Sequence, residues 1–542
     1  MGKDILIKNG LVIDGSGKPA FKADVLIDKN RIEDIGKFDK EEASLMIDAE
    51  NLAVAPGFID VHSHLDFIVP SSQEISVLEN WIRQGATTIV SGNCGYSPAP
   101  INHQYEELIN IYWNFALPYD GLKYEWTTMA EFLDFLEKKG QCLNVAILTG
   151  HNTLRTNVMG FNARFANSEE INEMKKLLME SIEAGSFGLS FGLGYVPGMY
   201  SNTEELVELA SVLTDFNATI VPHTRGLFSK LYANAIEEMI QVAEKNNIPL
   251  QISHHCGGGV GIVRKRSLKL VQEAIERGVR ISHDNIPWPN SSTTALAWFP
   301  PWLFDGGINL DLLKEPEIRK QVIEEMLTFK LKWPPWENKY WVDRDFNAST
   351  ILAGFRKEKN KKFENKKLKD IADELKLEPI DAFIDLIIEE EGKIYVISGQ
   401  FDNPMAEDFV VELLSDPNCS IGTDIVGAGL KTISPAAYGN FTKVLGQIAR
   451  DKGVMSQEEA IRRMTSLPAK QMQINDRGIL EKGAFADITI FNPRTVKNKA
   501  SYMNPYQSSE GIEYVIINGE LILDKGKFYE KKLAGTVLRR NV

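Results

Sequence analysis

Pro56-Gly-Phe-Ile-Asp-Val-His-Ser-His-Leu-Asp66 is an apolar run that ends in two histidines one residue apart. Side chains alternate along an extended strand, so His62 and His64 are expected on one face and Val61 and Ser63 on the other. Two imidazoles on one side of a strand end, with Asp60 and Asp66 beside them, make half of a metal site. The same spacing also suits two surface histidines, and the rest of the chain has to decide between these readings.

It does so by repeating the pattern. Short apolar, β-branched runs that end in a polar, chemistry-capable residue occur at Ala55–His64, Ala86–Cys94, Leu143–His151, Ser186–Tyr195, Ala218–His223, Ile248–His255, Val279–Asp284 and Cys419–Asp424, with helical stretches between them. Continuous apolar strands separated by helices imply a parallel sheet buried on both faces, and eight of them is the strand number of a closed (β/α)8 barrel. Catalytic groups in such a barrel sit where strands end. Seven of the eight histidines lie there, His103 being the exception, together with Cys94, Asp284 and Asp424.

The two ends of the chain read differently. Residues 1–55 suggest short strands (Asp4–Ile7, Leu11–Ile13, Val25–Ile27, Arg31–Ile35) with turns at Asn9-Gly10, Asp14-Gly15 and Lys29-Asn30. Residues 476–542 continue in the same way through Asp487–Phe491, Val515–Ile517, the turn Asn518-Gly519 and Glu520–Leu523. So small a β piece is not stable by itself, so both ends are expected to build one small β-sandwich. The expected organisation is an α/β chain: a TIM-like barrel over 56–475 and a sandwich assembled from 1–55 and 476–542.

Between Asp284 and Cys419 the connection is far longer than one crossover helix requires, which marks an insertion at about 286–415. It opens with Ile286-Pro-Trp-Pro-Asn-Ser-Ser-Thr-Thr294, carries Trp298, Trp302, Trp333, Trp336 and Trp341, and turns basic from Arg356 to Lys369. Either a lid or a helical insertion docked on the barrel, its tryptophans serving as core, fits this composition.

Composition bounds the partners. A chain of 542 residues with 43% apolar and 25% charged content is an ordinary globular protein. Its formal charge of -14 argues against nucleic-acid and anionic-membrane partners. The start lacks the apolar core of a signal peptide and no run reaches the ~18 residues of a membrane span, so the expected location is cytoplasmic. Four scattered cysteines (Cys94, Cys142, Cys256, Cys419) do not make a disulfide framework.

The strand ends would bring His62, His64, Cys94, His151, His223, His254-His255, His283-Asp284 and Asp424 to one rim. Imidazole, thiolate and carboxylate together suit zinc, and a zinc site with an open position activates water, so a hydrolase follows. Nucleophilic catalysis by Cys94 with a histidine base is the rival chemistry. The Gly-x-Ser-x-Gly of Gly188–Gly192 lies within a strand and reads as packing.

The run at Pro56, Ser91-Gly-Asn-Cys-Gly-Tyr-Ser97, Gly192-Leu-Gly-Tyr-Val-Pro-Gly-Met-Tyr200, Val221-Pro-His-Thr-Arg225, Ile252-Ser-His-His255, Ile421-Gly-Thr-Asp424, Met464-Thr-Ser-Leu-Pro-Ala469 and the late Asp476–Gly483 segment resemble the D-aminoacylase (N-acyl-D-amino-acid deacylase) branch of the amidohydrolase superfamily. The likeness runs nearly end to end. It implies a tightly held zinc on Cys94, His223 and His254, with His254 chosen over His255, and a second, weaker metal position flanked by His62, His64 and Asp424. It also implies that Asp424 is the general base, which takes a proton from the attacking water and passes it to the leaving nitrogen. Tyr195 matches a tyrosine that grips the substrate's α-carboxylate, and His151, Ser291 and Ser292 join it as candidate substrate contacts.

Two positions depart from that pattern. Cys256 stands where the deacylases usually have lysine, and Ala436, in Ser434-Pro-Ala436, where they usually have arginine. Both cations are associated with gripping the α-carboxylate, and Arg225, Arg264 and Lys265 are the candidates to replace them. The expected protein is therefore a zinc-dependent hydrolase of small-molecule amide C–N bonds with an altered substrate preference. A true N-acyl-D-amino-acid deacylase, a cyclic amide or imide hydrolase, a deaminase, and a catalytically inactive metal-binding barrel used for recognition are the alternatives. Oligomeric state is not legible.

Overall fold

In a computed structural model, residues 3–39, 43–227, 231–256, 261–328, 350–399, 404–430, 434–502 and 504–540 are described. The eight expected strand positions are occupied in order: β1 (Phe58–Asp60), β2 (Ala86–Ser91), β3 (Asn144–Ile147, continued by Thr149–Gly150), β4 (Gly188–Gly192), β5 (Thr219–His223), β6 (Leu250–Ile252), β7 (Ile281–Asn285) and β8 (Cys419–Ile421). Every pairing among them is parallel. β1, β2 and the first part of β3 form one sheet, and the rest of β3 through β8 form another. The sheets meet within β3, where Leu148 N donates to Ser91 O at 2.8 Å. At the other end, Asp424 N, just beyond β8, donates to His62 O, just beyond β1, at 2.9 Å. All six residues of β2, Ala-Thr-Thr-Ile-Val-Ser, are buried, as expected of a strand covered on both faces.

The strands are shorter than the apolar runs suggest. β1 ends at Asp60 and β2 at Ser91, so His62, His64 and Cys94 sit on the turns that follow rather than on a strand face. Of the candidate ligands only His223 closes a strand. Just past the end of β1, Ser63 N donates to Val90 O of β2 at 3.1 Å, so the turn that carries His62 and His64 is held against that strand.

The ends of the chain share one sheet of nine strands, in which Ile488–Phe491 pairs antiparallel with Ala53–Pro56 and so joins the C-terminal strands to the N-terminal ones. Asn9-Gly10 is a bulge, not a turn: Lys3–Val12 is one strand whose register shifts between Ile7 and Gly10, with Asn9 at φ 61°. The strand Ala43–Asp48, which pairs parallel with it, was not legible because half of its residues stay exposed. Asn518-Gly519 is the expected tight turn, with φ of 48° and 80°. The last residues run beneath the parallel strands, where Leu538 N donates to Val145 O at 2.8 Å.

The insertion contains a four-stranded sheet of its own, with Asn290–Thr294 paired to Tyr395–Gly399 and the latter to Thr350–Ala353. Trp298 is buried and its ring lies 5.5 Å from Phe383 in the helix Pro379–Glu389, so it serves as core. Trp333, Trp336 and Trp341 lie outside the described residues. Among the described residues no helix is long and apolar enough to cross a membrane.

Candidate metal centre

Cys94 is the hub. Past β2 the chain turns sharply through Gly92 (φ 84°), Cys94 (φ 52°) and Gly95 (φ 82°). A Cβ on Gly95 would lie 2.5 Å from Gly192 N and from Asn152 Oδ1, so the turn fits against β4 only with glycine there. Asn93 ties the turn down by donating to Val90 O at 3.0 Å, and Gly95 N donates to Ser190 Oγ at 3.1 Å. The thiol that emerges is buried.

Around its Sγ stand His62 Nε2 at 3.5 Å, His223 Nδ1 at 3.5 Å and His254 Nε2 at 3.7 Å. Asp424 Oδ1 lies 3.1 Å from His64 Nε2 and 3.4 Å from His62 Nε2. The donor atoms form two overlapping groups, His62–His64–Cys94–Asp424 and Cys94–His223–His254, each with all its atoms within 4.8 Å of one another. Zn–S near 2.3 Å and Zn–N near 2.0–2.1 Å at tetrahedral angles would put sulfur and nitrogen about 3.6 Å apart, so this donor set fits a zinc ion. Cys94 belongs to both groups.

The electrostatics favour the ligand form of the sulfur. Burial raises the Cys94 thiol, but the neighbouring His62 and His223 outweigh it and hold it well below the usual thiol range, and thiolate is the form that ligates metal. Asp284 supports the histidines from behind. Its Oδ1 lies 3.2 Å from His62 Nδ1 and accepts from His254 N at 2.8 Å, while Gln251 Nε2 donates to Oδ2 at 3.1 Å. Burial raises this carboxyl, but His62 outweighs that and keeps it below the usual carboxylate range. A carboxylate behind a metal-facing imidazole fixes the ring's tautomer and orientation. Asp60 joins the first and last strands by accepting from Thr423 N at 2.9 Å and Thr423 Oγ1 at 2.7 Å.

Cys94 (φ 52°), His254 (φ 35°) and Asp424 (φ 45°) all hold the left-handed conformation that side-chain-bearing residues rarely adopt. Each such residue costs on the order of 1–3 kcal/mol, and such strain clusters at functional sites. Asp424 is also the most open member of its group, its side chain 17% exposed against 0% for His62 and 3% for His64. The cluster therefore meets solvent on the Asp424 side.

The other candidates are placed as follows. Tyr195 is buried with its ring 4.7 Å from that of His223 and its hydroxyl 3.0 Å from Thr293 Oγ1. Ser291 and Ser292 are half-buried on the insertion strand next to Thr293, and Ser291 Oγ lies 3.3 Å from Ser398 Oγ. His151, expected to contact substrate, is instead fully buried and its Nε2 meets Glu205 Oε1 at 2.8 Å, with Arg155 on the other carboxylate oxygen at 2.5 Å. It opens the helix His151–Met159, whose Asn152 donates to Gly192 O at 3.1 Å and whose Thr153 N donates to Gly95 O at 3.2 Å, so it braces the Cys94 turn from beneath. His255 turns away from the thiol, its ring 4.9 Å from that of His283, which pairs with Asp416 at 3.2 Å.

Burial pushes the Cys256 thiol up to about 12, so that position supplies no charge at neutral pH. Arg225 is engaged by Glu238 at 3.1 Å and Ser201 O at 2.7 Å, Arg264 by Glu412 at 3.3 Å, and Lys265 is exposed. Trp113, which the sequence does not single out because it lies on no strand end, is buried with its ring 5.6 Å from that of His64 and 5.2 Å from that of Tyr195.

A family model described as "Amidohydrolase family" matches residues 45–307 and 392–523. The interval between those two segments falls within the insertion. The chain is 29% identical over 555 residues to a D-aminoacylase of Alcaligenes xylosoxydans xylosoxydans, covering 99% of this chain and 98% of that one. It is similar to a solved D-aminoacylase described as having a binuclear metal centre, with a TM-score of 0.80 and 26% identity over 99% of this chain and 100% of the other. The same TM-score, identity and coverage hold for N-acyl-D-glutamate deacylase from Bordetella bronchiseptica, solved with zinc and a phosphonate inhibitor that mimics the tetrahedral intermediate.

Proposed function

The chain belongs to the amidohydrolase family, and from that membership we propose that it is a zinc-dependent hydrolase of amide C–N bonds whose substrate lacks a free α-carboxylate. The observation that carries the metal reading is the position of Cys94 at the overlap of two groups of buried donors at zinc-like separations. In this reading Cys94, His223 and His254 hold a tight ion, and His62, His64 and Asp424 complete a second, weaker position. The two parallel sheets are taken to close as one (β/α)8 barrel over 56–475, with the terminal strands as a sandwich domain.

A zinc ion held by these residues would supply an acidified water and polarise the substrate carbonyl. The chain's own groups do the rest. The Asp424 carboxylate, at the open side of the cluster, accepts the proton of the attacking water and returns it to the leaving nitrogen, which requires hydrogen-bond reach to both. Asp284 holds His62 and the His254 backbone so that neither imidazole turns. Tyr195, packed on His223, and the Ser291–Thr293 strand form the substrate side.

The substrate preference rests on the two positions, Cys256 and Ala436, that lack the usual cation. With Cys256 and Ala436 at the two usual cation positions, and with Arg225 and Arg264 already paired to carboxylates, a bound α-carboxylate would lose charge-assisted hydrogen bonds of roughly 1.5–3 kcal/mol each. Turnover of N-acetyl-D-amino acids is compared with that of the matching carboxamides, alongside elemental analysis of the protein. The expected result is bound zinc and at least a tenfold preference for the carboxamides, inverted in the Cys256→Lys/Ala436→Arg variant. Wild-type preference for the free acids overturns the substrate assignment.

A further inference from the structure

Trp113 lies between two parts of the site that the mechanism treats separately. It follows the helix Glu106–Tyr112 and is fully buried. Its ring stands edge-on to His64, centroids 5.6 Å apart at 79°, and edge-on to Tyr195 at 5.2 Å and 86°, and it stacks on Tyr96 at 4.2 Å. The indole Nε1 has no hydrogen-bond partner among the described residues, so the ring surface is what this residue contributes.

The same short segment touches a second ligand's loop. Phe115 O accepts from Gly427 N at 2.7 Å, three residues beyond Asp424. A Cβ on Gly427 would lie 2.7 Å from the Tyr395 ring of the insertion, so the loop carrying Asp424 is confined between the Phe115 backbone and the insertion sheet. Asp424 holds a left-handed φ of 45°, which persists only where surroundings enforce it. His64 and Asp424 belong to one donor group and not to the other. The segment that supports both of them reaches the Cys94–His223–His254 group at one remove, through Tyr195, which packs on His223, and through Tyr96, two residues beyond Cys94.

We propose that Trp113 is a positioning residue for the second metal position: it fixes the His64 ring, while the segment it belongs to fixes the Asp424 loop, so affinity at that position is set separately from the first. This rests on the two-position reading above. The test is a zinc titration of chelator-stripped, full-length protein against a chromophoric competitor, with zinc alone as the probe.

Wild type is expected to take two equivalents. Trp113→Phe, which keeps an aromatic ring and the fold, is expected to weaken the second equivalent about tenfold while leaving the first unchanged, the scale seen when groups behind metal ligands are altered. His64→Ala should weaken the second equivalent further. Trp113→Phe added to His64→Ala should then change nothing more, because the ring it positions is gone. Equal weakening of both equivalents, an unchanged second equivalent, a full additional tenfold in the double variant, or a wild type that takes one equivalent overturns the inference. A stripped wild type that binds no zinc overturns the metal reading itself, so the two failures are distinguishable.

Discussion

Replacing Glu205 with glutamine should destabilise the protein by about 3 kcal/mol at pH 7 and loosen the Cys94 turn. Glu205 is buried, with His151 Nε2 at 2.8 Å and Arg155 at 2.5 Å. Burial raises its carboxyl, but the Arg155 guanidinium and the hydrogen bond from His151 outweigh that and hold it at about 2, against 4.5 for a free glutamate. A folded pKa below the unfolded one means stability that is present above pH 4.5 and is lost as pH falls toward 2. At about 1.4 kcal/mol per unit, the shift corresponds to about 3 kcal/mol at neutral pH and about 2 kcal/mol at pH 3.5. The variant also leaves Arg155 buried without its countercharge, a change that typically costs 3–5 kcal/mol, so 3 is the lower end of the expectation. Urea unfolding of wild type and Glu205→Gln at both pH values reads the gap directly. A gap below about 1 kcal/mol at pH 7, or one that widens as pH falls, refutes the assignment of this network as a brace.

Two further substitutions separate the proton carrier from the ligands. Asp424→Asn keeps the shape of the side chain but removes the base, so kcat/KM on the preferred carboxamide should fall by roughly 10²- to 10⁴-fold while the first zinc equivalent, held by Cys94, His223 and His254, stays; activity within tenfold of wild type refutes the role. Gly194→Ala would place a Cβ 2.7 Å from His223 Nε2, on the ring's far side from Cys94, so the ring must shift. That variant should fold normally by circular dichroism and bind the first zinc equivalent about tenfold more weakly, as displaced metal supports do; unchanged affinity shows that the ring has room to move.

Much of this was legible because burial on both faces writes strands as uninterrupted apolar runs. Ala86-Thr-Thr-Ile-Val-Ser91 and Thr219-Ile-Val-Pro-His223 announce themselves, and the polar residue ending each run marks the rim. Local pattern failed where a partner distant in sequence decides the structure. Ala43–Asp48 is a strand because Lys3–Val12 pairs with it, and His151 is a brace because Glu205, far along the chain, accepts its hydrogen bond. Trp113 meets His64 and Tyr195 only after folding, and nothing in its neighbourhood of the sequence distinguishes it from a core tryptophan.

The turns beyond the strand ends carry the largest difference between the pattern and the fold. An extended strand through His64 would set His62 and His64 side by side on one face, with both rings fixed by the pleat. In the structure the strand stops at Asp60, and the two rings stand 5.5 Å apart at 78°, one toward Cys94 and Asp284, the other toward Asp424 and Trp113. The ladder no longer orients them, so side-chain partners must: Asp284 for His62, Trp113 for His64. Cys94, itself in a left-handed turn, is among the described residues the one donor shared by both groups, so on the two-position reading its displacement would disturb both together. The backbone beneath it, braced by Asn152 and Thr153, is accordingly where helix, strand and turn meet, close enough that a Cβ on Gly192 would lie 2.0 Å from Cys94 O.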